Sequence, residues 1–424
     1  MLSSPSSPPR LAVAPAQGIG TAPPAPAPSA MPTLAACSPA VDVVASVTDF
    51  AGLAPEWNEL LAESPADALF LTWEWLFTWW KHFGDGRQLQ LLTVRRAGRL
   101  AALAPFALAA PQPLRLLPAR RQFLGSGVVG SDYLDVVIRP GEGEAVAAAL
   151  AERCARDGWA LDLAQARRGA AVSSELAPRL AAHGWSALTS VAHVCPYIDL
   201  TDHTWESYLR SLGASHRANV QRRLRQIHQR FVVSFERVER SEELGPALDV
   251  LLDLHRRRWH ERGSEAFDAR LEAFHRDFSR LALDRGWLRL YVLRLDGRPA
   301  AAFYGFSYGG RFLFYQSGFD PAFAAQSVGL VTMALTVRAA LEEGAREYDL
   351  LHGHEPYKFL WARRTRVLER VELYPPSMSF ALRRRLRSSA GQAKRHAMRW
   401  LRLDSTPRWP HGDPRPLSPA EGDL

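Results

Sequence analysis

"WLRLYVLRLDGRPAAAFYGFSYGGRFLFYQSGF", residues 287–319, is the stretch that decides the fold. Its three apolar runs are separated by Asp296-Gly297 and by Gly309-Gly310. Both pairs are typical of two-residue hairpin turns, because glycine adopts the positive φ angles that such turns require. The stretch therefore predicts three consecutive antiparallel strands.

The segments on either side of these strands predict an α/β protein with a mixed sheet. Upstream lie a strand-like run, 231–238, and two helical runs that each end at glycine, 246–263 and 269–286. Downstream, a loop leads to an apolar helix at 328–344, and two further strand-like runs follow it. The segment before residue 191 has a weaker version of the same order, so the chain is predicted to contain two copies of one fold.

Four segments follow from the composition. Residues 1–40 are rich in proline, alanine and serine and are predicted to be disordered. Residues 41–190 and 191–375 are predicted to be the N-terminal, degenerate copy and the C-terminal copy. Residues 376–424 form a basic tail. A chain of 424 residues is longer than one hydrophobic core usually supports.

The net charge of +8 is concentrated in the tail. Residues 380–403 contain eight basic residues and no acidic one, so the rest of the chain is close to neutral. A neutral body argues against nucleic-acid binding, which usually shows a broad basic surface. With apolar residues at helical spacing, segment 380–403 predicts a peripheral contact with a membrane or partner; the alternative is a solvated, disordered tail.

The three cysteines show no CxxC pair, so neither a disulfide framework nor a zinc site is expected. No apolar run approaches the ~20 residues of a membrane span. These features predict a cytoplasmic protein, in contact with the inner face of the membrane if the tail binds there, and no metal cofactor.

The order strand, two helices, three antiparallel strands, helix, strand and strand resembles that of the GNAT acyltransferases, and two tandem copies resemble the FemAB-like architecture. In GNAT enzymes the pyrophosphate of acyl-CoA binds at a helix N-terminus, in a loop of the form Gln/Arg-x-x-Gly-x-Gly/Ala. The matching residues here precede and begin the apolar helix: Gln326, Ser327, Val328, Gly329 and Leu330. Val331 departs from the pattern.

The stretch "YDLLHGHEPYKFLW", 348–361, places charged groups where a strand ends. It resembles the closing motif of the cellulose-biosynthesis acetyltransferases of the CelD/BcsL type. The positions that match this motif are Asp349, Gly353, Glu355, Pro356, Tyr357, Lys358 and Trp361. His352 and His354 lie at variable positions of the motif. The stretches "FLTWEWLFTWWKHFG" (70–84) and "FYQSGFDPAFAAQSVGL" (314–330) also agree with this family.

The resemblance implies an acyltransferase that moves an acetyl or other acyl group from acetyl-CoA, as co-substrate, to an amine or hydroxyl. The acceptor would be a small molecule or a saccharide, in exopolysaccharide, cellulose or cell-envelope synthesis. Glu355 or Asp349 is the expected base, and Lys358 is expected to hold an anionic group. No cysteine lies near the motif in sequence, which favours direct attack. Further residues expected on the substrate side are His216, Asn219, Trp259, Asp132, Tyr133 and Tyr357.

Several alternatives stay open at this stage. A FemAB-like transferase using aminoacyl-tRNA would explain the basic helix at 216–230. A catalytically inactive GNAT scaffold in a polysaccharide-synthase complex would explain the departure at Val331. Glu355 and Lys358 could also be a solvated ion pair that contributes little. Asp349 could have a structural role at the end of its strand.

Overall fold

The structure is a computed structural model, and it describes residues 39–109, 120–260 and 268–376. For residues 258–260 the description covers the backbone only. Residues 1–38 of the predicted disordered tract and the whole basic segment 380–403 lie outside the described residues.

The first half of the chain contains the following helices and strands: β1 (Val41–Val44), α1 (Val47–Gly52), α2 (Ala54–Glu63), α3 (Trp73–Phe83), β2 (Gln88–Arg96), β3 (Arg99–Leu108), β4 (Arg120–Phe123), β5 (Val137–Ile138), α4 (Gly143–Asp157), β6 (Ala160–Arg167), α5 (Ala177–Ala182) and β7 (Ser186–Asp199). A short 3-10 turn (Leu69–Leu71) precedes α3, and a π-helical turn (Val172–Leu176) leads into α5.

The second half contains these elements: α6 (Trp205–Ser211), α7 (Ala214–Arg230), β8 (Val233–Arg237), α8 (Ser241–His260), α9 (Ala269–Asp284), β9 (Leu288–Leu295), β10 (Arg298–Tyr308), β11 (Arg311–Phe319), α10 (Val328–Glu342), β12 (Glu347–Asp349), α11 (Lys358–Trp361) and β13 (Arg364–Tyr374). A 3-10 turn (Pro321–Gln326) joins β11 to α10.

Both predicted hairpins are confirmed. The strands β9 and β10 pair antiparallel about Asp296-Gly297, and β10 and β11 pair antiparallel about Gly309-Gly310. All four turn residues have positive φ, from 49° at Asp296 to 77° at Gly297. The glycines at these turns therefore have the conformational role that the sequence predicted.

The described strands form one thirteen-stranded mixed sheet, in the order β1-β2-β3-β4-β6-β13-β7-β12-β11-β10-β9-β8, with β5 paired to β3. The two ends of this order repeat each other, because β1, β2, β3, β4 and β6 follow one another as β8, β9, β10, β11 and β12 do. The fourth and fifth strands of each set, β4 with β6 and β11 with β12, pair in parallel. The sheet thus contains an internal repeat, as the sequence predicted.

The last strands of the two halves are exchanged. The strand β7 of the first half pairs with β12 of the second, and β13 of the second half pairs with β6 of the first. Between them, β7 and β13 pair antiparallel from Tyr197↔Arg364 to Ser186↔Tyr374. The boundary at residues 190 and 191 falls within β7. The exchange brings first-half residues beside the C-terminal end of β12.

Helices cover both faces of the second-half strands. On one face, Tyr348 and Phe312 lie in a core with residues of α6, α7 and α10. On the other face, the largest core contains residues of α3, α8 and α9, and the Trp75 ring packs edge-on against Phe278 at 4.6 Å. Because helices cover both faces of these strands, a ligand can enter the middle of the sheet where two neighbouring strands separate.

Candidate active site

The strands β11 and β12 separate soon after they begin to pair. Their pairing ends at Leu313↔Asp349, whereas β11 continues beyond it. After Asp349 the chain follows β7 instead, where the Gly353 N–H donates to the Val194 carbonyl at 3.2 Å. We call the wedge between β11 and residues 350–353 the fork. In open α/β sheets, ligands bind where strand ends diverge in this way.

A β-bulge in β11 shapes one wall of the fork. Tyr315 is the extra residue, because its neighbours Phe314 and Gln316 pair with consecutive residues of β10. The alternation of side chains along β11 shifts at this point. The Tyr315 hydroxyl lies on the α8–α9 side of the sheet and donates to the Val129 carbonyl of the first half. Tyr315 therefore connects the wall of the fork to a first-half loop.

A cavity of about 180 Å³ lies at the fork, on the face covered by α7 and α10. We call it the fork cavity. Its lining is mainly apolar: Ala301, Ala302, Phe314, Phe319, Leu330, Met333, Leu360 and Trp361, with Gly318 and Gly329. The polar lining residues are His216, Ser317, Thr332 and Tyr357. Such a site is suited to a flexible chain with a few amide and carbonyl groups.

His216, predicted to be on the substrate side, lies in the wall of the fork cavity. Its ring packs edge-on against Trp361 at 4.7 Å, and its buried Nε2 has no hydrogen-bond partner among the described residues. Burial lowers the pKa of this imidazole, and the nearby Arg363 lowers it further. A neutral, unsatisfied ring nitrogen in a cavity wall is available to bind a polar group of a ligand.

The N-terminus of α10 opens onto the same cavity. Ser327 precedes the helix with a φ of 56°, and its side chain accepts no capping hydrogen bond from the first turn. A Cβ added to Gly329 would have as its nearest neighbour the Phe319 ring at 3.8 Å, so the space in front of the helix is open. Val331, where the sequence departs from the family's loop pattern, is fully buried in a core behind the helix. Its side chain therefore does not occupy the space at the helix N-terminus.

The other predicted loop residues border this opening to different degrees. Leu330 lines the cavity and Val328 is buried in the core behind it. The Gln326 Oε1 is buried without a hydrogen-bond partner among the described residues. Uncapped N–H groups and the helix dipole make this terminus a suitable position for an anion.

The basic helix α7 runs beside this loop. Arg223 Nη1 donates to the Ala325 carbonyl at 2.9 Å, immediately before Gln326. Asn219, predicted to be on the substrate side, instead accepts a hydrogen bond from Arg222 at 2.8 Å and does not line the fork cavity. Helix α7 therefore places positive charge near the α10 N-terminus.

Asp349 is fully buried at the last paired position of β12. Its carboxylate accepts from the Tyr133 hydroxyl at 2.6 Å and from the Leu351 N–H at 2.8 Å, and Arg366 Nη1 lies 3.5 Å away. Burial raises the pKa of Asp349 to about 6, against the opposing effect of the Tyr133 hydrogen bond. The arrangement fits the structural alternative for Asp349 at least as well as a role as base.

Lys358 and Glu355 form an ion pair on the segment that follows. Lys358 is 4% exposed, and its Nζ donates to the His352 carbonyl at 2.8 Å and lies 3.1 Å from Glu355 Oε2. The Glu355 side chain is 54% exposed. A Cβ on Gly353, whose φ is 144°, would collide with the Glu355 carboxylate and approach Lys358 Nζ to 2.5 Å. Lys358 therefore holds the backbone of this segment in place, and only glycine fits at 353.

Two further predicted residues differ in how they are placed. Tyr357 lines the fork cavity and is 36% exposed. Trp259 belongs to the end of α8, and its side chain lies outside the described residues.

Asp132 and His352 meet across the two halves of the chain. His352 Nδ1 and Asp132 Oδ1 are 2.8 Å apart, and the His352 backbone N–H donates to Asp132 Oδ2, also at 2.8 Å. From the sequence, His352 is one of the residues after the strand where a base is expected, but its variable position in the closing motif makes it a weaker candidate than Glu355. No periodicity links two residues 220 positions apart, so local sequence patterns cannot reveal this contact.

A larger cavity, of about 490 Å³, lies on the opposite face of the sheet. Arg311 of β11 lines it, whereas the next residue, Phe312, points into the core on the fork-cavity face. We call it the arginine cavity, because it is lined by five arginines and three acidic residues: Arg139, Arg167, Arg168, Arg311, Arg366, Asp67, Asp135 and Glu175. Tyr133, which donates to Asp349, also lines it. The two cavities thus approach the end of β12 from opposite faces.

Within the described residues, no group of three or more His, Cys, Asp or Glu side chains is arranged to hold a metal ion. The same residues include no helix with the length and apolar character needed to cross a membrane.

Comparison with known families identifies the second half of the chain. Residues 214–359, which include α7, the fork and most of the closing motif, match the family model described as "Acetyltransferase (GNAT) domain". The match covers about a third of the 424-residue chain, and it does not identify the cellulose-biosynthesis subfamily.

The solved structures agree on the fold. FemX shares 13% sequence identity with this chain at a TM-score of 0.56, and the match covers 75% of this chain and 95% of FemX. A conserved protein of unknown function from Bacteroides thetaiotaomicron shares 10% identity at a TM-score of 0.50, covering 79% and 99% of the two chains. No curated protein matches the sequence. At these identities the likeness shows a shared fold only. The shared fold extends over most of the chain and is not limited to residues 214–359.

Proposed function

We propose that this protein is an acyltransferase that moves an acetyl or similar acyl group from acyl-CoA to an amine or hydroxyl acceptor. The observation that carries the proposal is the fork cavity, which joins the open N-terminus of α10 to the point where β11 and β12 separate. The helix N-terminus suits the pyrophosphate, and the apolar cavity suits the pantetheine arm. The thioester would then lie in the fork, beside Tyr357 and Trp361.

Direct attack on the thioester is the mechanism that this proposal requires. The acceptor nitrogen or oxygen bonds to the thioester carbonyl carbon, the carbon–sulfur bond breaks, and CoA leaves as the thiol. Contrary to the sequence expectation, one cysteine does lie close: Cys195 Sγ is 3.8 Å from Asp132 Oδ2. Its thiol is fully buried, and burial together with Asp132 raises its pKa, so it is a poor nucleophile.

The arginine cavity is the place we propose for the acceptor. It lies across the sheet from the fork cavity and reaches the end of β12 through Tyr133. The Arg311 guanidinium donates to a neutral backbone carbonyl, that of Asp67, and Arg167 is exposed. These groups favour an acceptor that carries a carboxylate or a phosphate. A saccharide acceptor in exopolysaccharide, cellulose or cell-envelope synthesis is supported by the resemblance of the closing motif.

Acetyl-CoA binding is the first test. Calorimetric titration of the full chain with acetyl-CoA is expected to give a saturable signal, and turnover is then followed by release of free CoA thiol with a panel of amino sugars and amines. Absence of binding at millimolar acetyl-CoA would refute the proposal. Binding without turnover across the panel would favour the alternative of a GNAT scaffold in a polysaccharide-synthase complex.

A transferase that uses aminoacyl-tRNA is the second candidate, and one observation favours it. Helix α7 carries several arginines and touches the loop before α10 through Arg223. The same placement would serve the phosphates of CoA. A competition experiment distinguishes the two candidates. If the site binds CoA and not tRNA, an excess of bulk tRNA should leave the acetyl-CoA affinity unchanged. Displacement of acetyl-CoA by tRNA at physiological salt would support the second candidate.

A further inference from the structure

The contact between Asp132 and His352 has two parts. The ring Nδ1 of His352 lies 2.8 Å from Asp132 Oδ1, and the His352 backbone N–H donates to Oδ2 of the same carboxylate. Gln165 Nε2 also donates to Oδ1, at 3.2 Å. An ionised carboxylate accepts hydrogen bonds only, so Nδ1 carries the hydrogen in this contact. The lone pair of the neutral ring is therefore on Nε2.

The burial of the pair is unequal. Asp132 is completely buried, whereas the His352 side chain is 32% exposed. Burying a carboxylate to this degree is costly unless it is well hydrogen-bonded. Two of the groups that bind Asp132, the ring Nδ1 and the backbone N–H, belong to His352, so the carboxylate fixes both the position and the tilt of this imidazole. The ring is thus held at the edge that carries Nδ1, while the side chain as a whole is only partly buried.

His352 belongs to the segment that forms one side of the fork. A Cβ added to Gly130 would lie 3.5 Å from His352 Cε1, so this first-half loop passes beside the ring. The neighbouring Val129 accepts the hydrogen bond of Tyr315 from the bulge of β11. The loop that contains Val129, Gly130 and Asp132 therefore spans the fork from one wall to the other.

We propose that His352 is the general base of the acyl transfer and that Asp132 is its positioning residue. This inference rests on the proposed function. The Nε2 lone pair takes the proton of the attacking amine or hydroxyl while the nucleophile bonds to the thioester carbonyl carbon. When the carbon–sulfur bond breaks, the imidazolium returns that proton to the departing CoA sulfur. Atoms and charge balance without a further reactant.

The other candidate bases are less well placed. Asp349 is fully buried and already accepts two hydrogen bonds. Glu355 is the more serious competitor, because it is exposed, but its carboxylate is paired with the Lys358 ammonium. For His352, by contrast, the hydrogen bond and the charge of the buried Asp132 raise the pKa.

The basicity of His352 depends on groups from every element around it. These are Asp132 from the first-half loop, His193 from β7, and Glu355 and Lys358 from the closing motif. Burial lowers the pKa of His352, but the hydrogen bond and the charge of Asp132 outweigh burial and raise it above its ordinary value. The His193 ring, 4.7 Å away, has a lowered pKa because of burial and then of His352. As the pH rises, His193 therefore loses its proton before His352 does.

The test uses three variants of the full chain: His352→Gln, Asp132→Asn and Glu355→Gln. His354→Gln is the matched control, since His354 is the exposed neighbour on the same segment and has no part in the pair. For His352→Gln we expect turnover to fall by roughly 100-fold or more, the usual contribution of a general base, with acetyl-CoA affinity within about 3-fold of wild type. Turnover of the His354→Gln variant should stay within about 3-fold, and Glu355→Gln should lose less turnover than His352→Gln.

The pH profile separates a positioning role of Asp132 from a merely structural one. Turnover requires neutral His352, so kcat/KM should rise with pH through the pKa of His352 and level off above it. Asp132→Asn removes the charge that raises this pKa, so the acidic limb should move to lower pH while the plateau falls. An acidic limb that survives in His352→Gln and disappears in Glu355→Gln overturns the assignment in favour of Glu355.

A readout that needs no substrate completes the test. Imidazole resonances followed by NMR over pH 4–9 should show one histidine, absent in His352→Gln, whose pKa exceeds the usual ~6.5 and falls in Asp132→Asn. If the wild-type protein neither binds acetyl-CoA nor turns it over, the proposed function fails whatever this titration shows. If the protein is active and the pKa of His352 is unaffected by Asp132→Asn, the positioning role of Asp132 is refuted and the proposed acyltransferase function stands.

Discussion

The Tyr133 hydroxyl donates to the Asp349 carboxylate at 2.6 Å, and the two residues come from different halves of the chain. Tyr133 adopts a φ of 60°, a conformation that residues other than glycine seldom take. Burial raises the pKa of its phenol, so it remains a hydrogen-bond donor throughout the physiological range. The contact fixes the first-half loop against the end of β12, and it lies between the two cavities.

The buried Asp349 carboxyl predicts a pH-dependent stability. Its pKa in the folded protein is about 6, above the ordinary 3.8, so folding favours the protonated form. The stabilisation from this group is complete below about pH 4 and is lost as the pH rises through about 6, on the order of 3 kcal/mol in all. In Asp349→Asn the amide oxygen can still accept from Tyr133, but the group no longer titrates. The free energy of unfolding of the variant, measured in urea, should therefore increase relative to that of wild type between pH 4 and 7.5.

The exposed Asp284→Asn on α9 serves as the control for that series, because it makes the same change of side chain at the surface. A pH-independent difference for Asp349→Asn would mean that Arg366, which lies 3.5 Å from the carboxylate, keeps it ionised in the folded protein.

Gly329→Leu should weaken acetyl-CoA binding while the protein remains folded. The space in front of Gly329 is open, with the Phe319 ring as the nearest neighbour of an added Cβ at 3.8 Å, so a larger side chain fits without collapsing the core. The leucine would instead occupy the position of the phosphates. We expect a loss of affinity of at least about 10-fold by calorimetry, which is about 1.4 kcal/mol.

Gly245→Leu is the matched substitution, because Gly245 also lies in a helix. An added Cβ there meets nothing within 4 Å, and Gly245 does not line the fork cavity. Its acetyl-CoA affinity should be unchanged. Equal affinities for Gly329→Leu and wild type would place the CoA phosphates elsewhere on the molecule.

The second-half fold could be predicted because its signals are local. Asp296-Gly297 and Gly309-Gly310 require turn conformations that few other residues adopt, and Gly329 follows a loop and begins an apolar helix. The general position of the site, at the end of the strand that contains Asp349, could be predicted for the same reason. Residues at the start of a helix and the end of a neighbouring strand meet in any sheet of this order.

The exchange of β7 and β13 could not be predicted in this way. Both sequences indicate strands, but the choice of partner depends on pairing energies between distant segments, and either arrangement gives the same local pattern. The Asp132–His352 pair follows from that exchange, since β7 carries the first half to the end of β12. Its sequence signal is limited to an aspartate in a glycine-rich loop, and that signal indicates no partner.

Gly353→Ala should disrupt the closing motif. Gly353 has a φ of 144°, and a Cβ there would collide with the Glu355 carboxylate. The backbone strain alone costs about 1–3 kcal/mol, and relieving the collision would break the contact between Lys358 and the His352 carbonyl. We expect a lower free energy of unfolding and a loss of turnover of more than about 10-fold.

Gly127→Ala provides the comparison for Gly353→Ala. Gly127 also has a positive φ, 102°, but an added Cβ there meets nothing within 4 Å. Its effect on unfolding should come from strain alone, with turnover close to wild type. If both variants lose turnover equally, the loss comes from backbone strain and not from breaking the contact between Lys358 and the His352 carbonyl.

The last prediction concerns the charge of the acceptor. If the arginine cavity receives the acceptor, wild-type protein should use glucosamine 6-phosphate with a lower KM than glucosamine, because Arg167 and Arg168 can pair with a phosphate. The double variant Arg167→Gln/Arg168→Gln should lose this preference, with KM for the phosphorylated sugar rising by roughly 10-fold and acetyl-CoA affinity unchanged. Arg280→Gln, which removes one exposed arginine from α9, is the control for the loss of a surface arginine. If wild type and the double variant both use the two sugars at equal rates, the acceptor reaches the fork by another route. The two arginines would then have the role of surface ion pairs, such as that of Arg168 with Glu369.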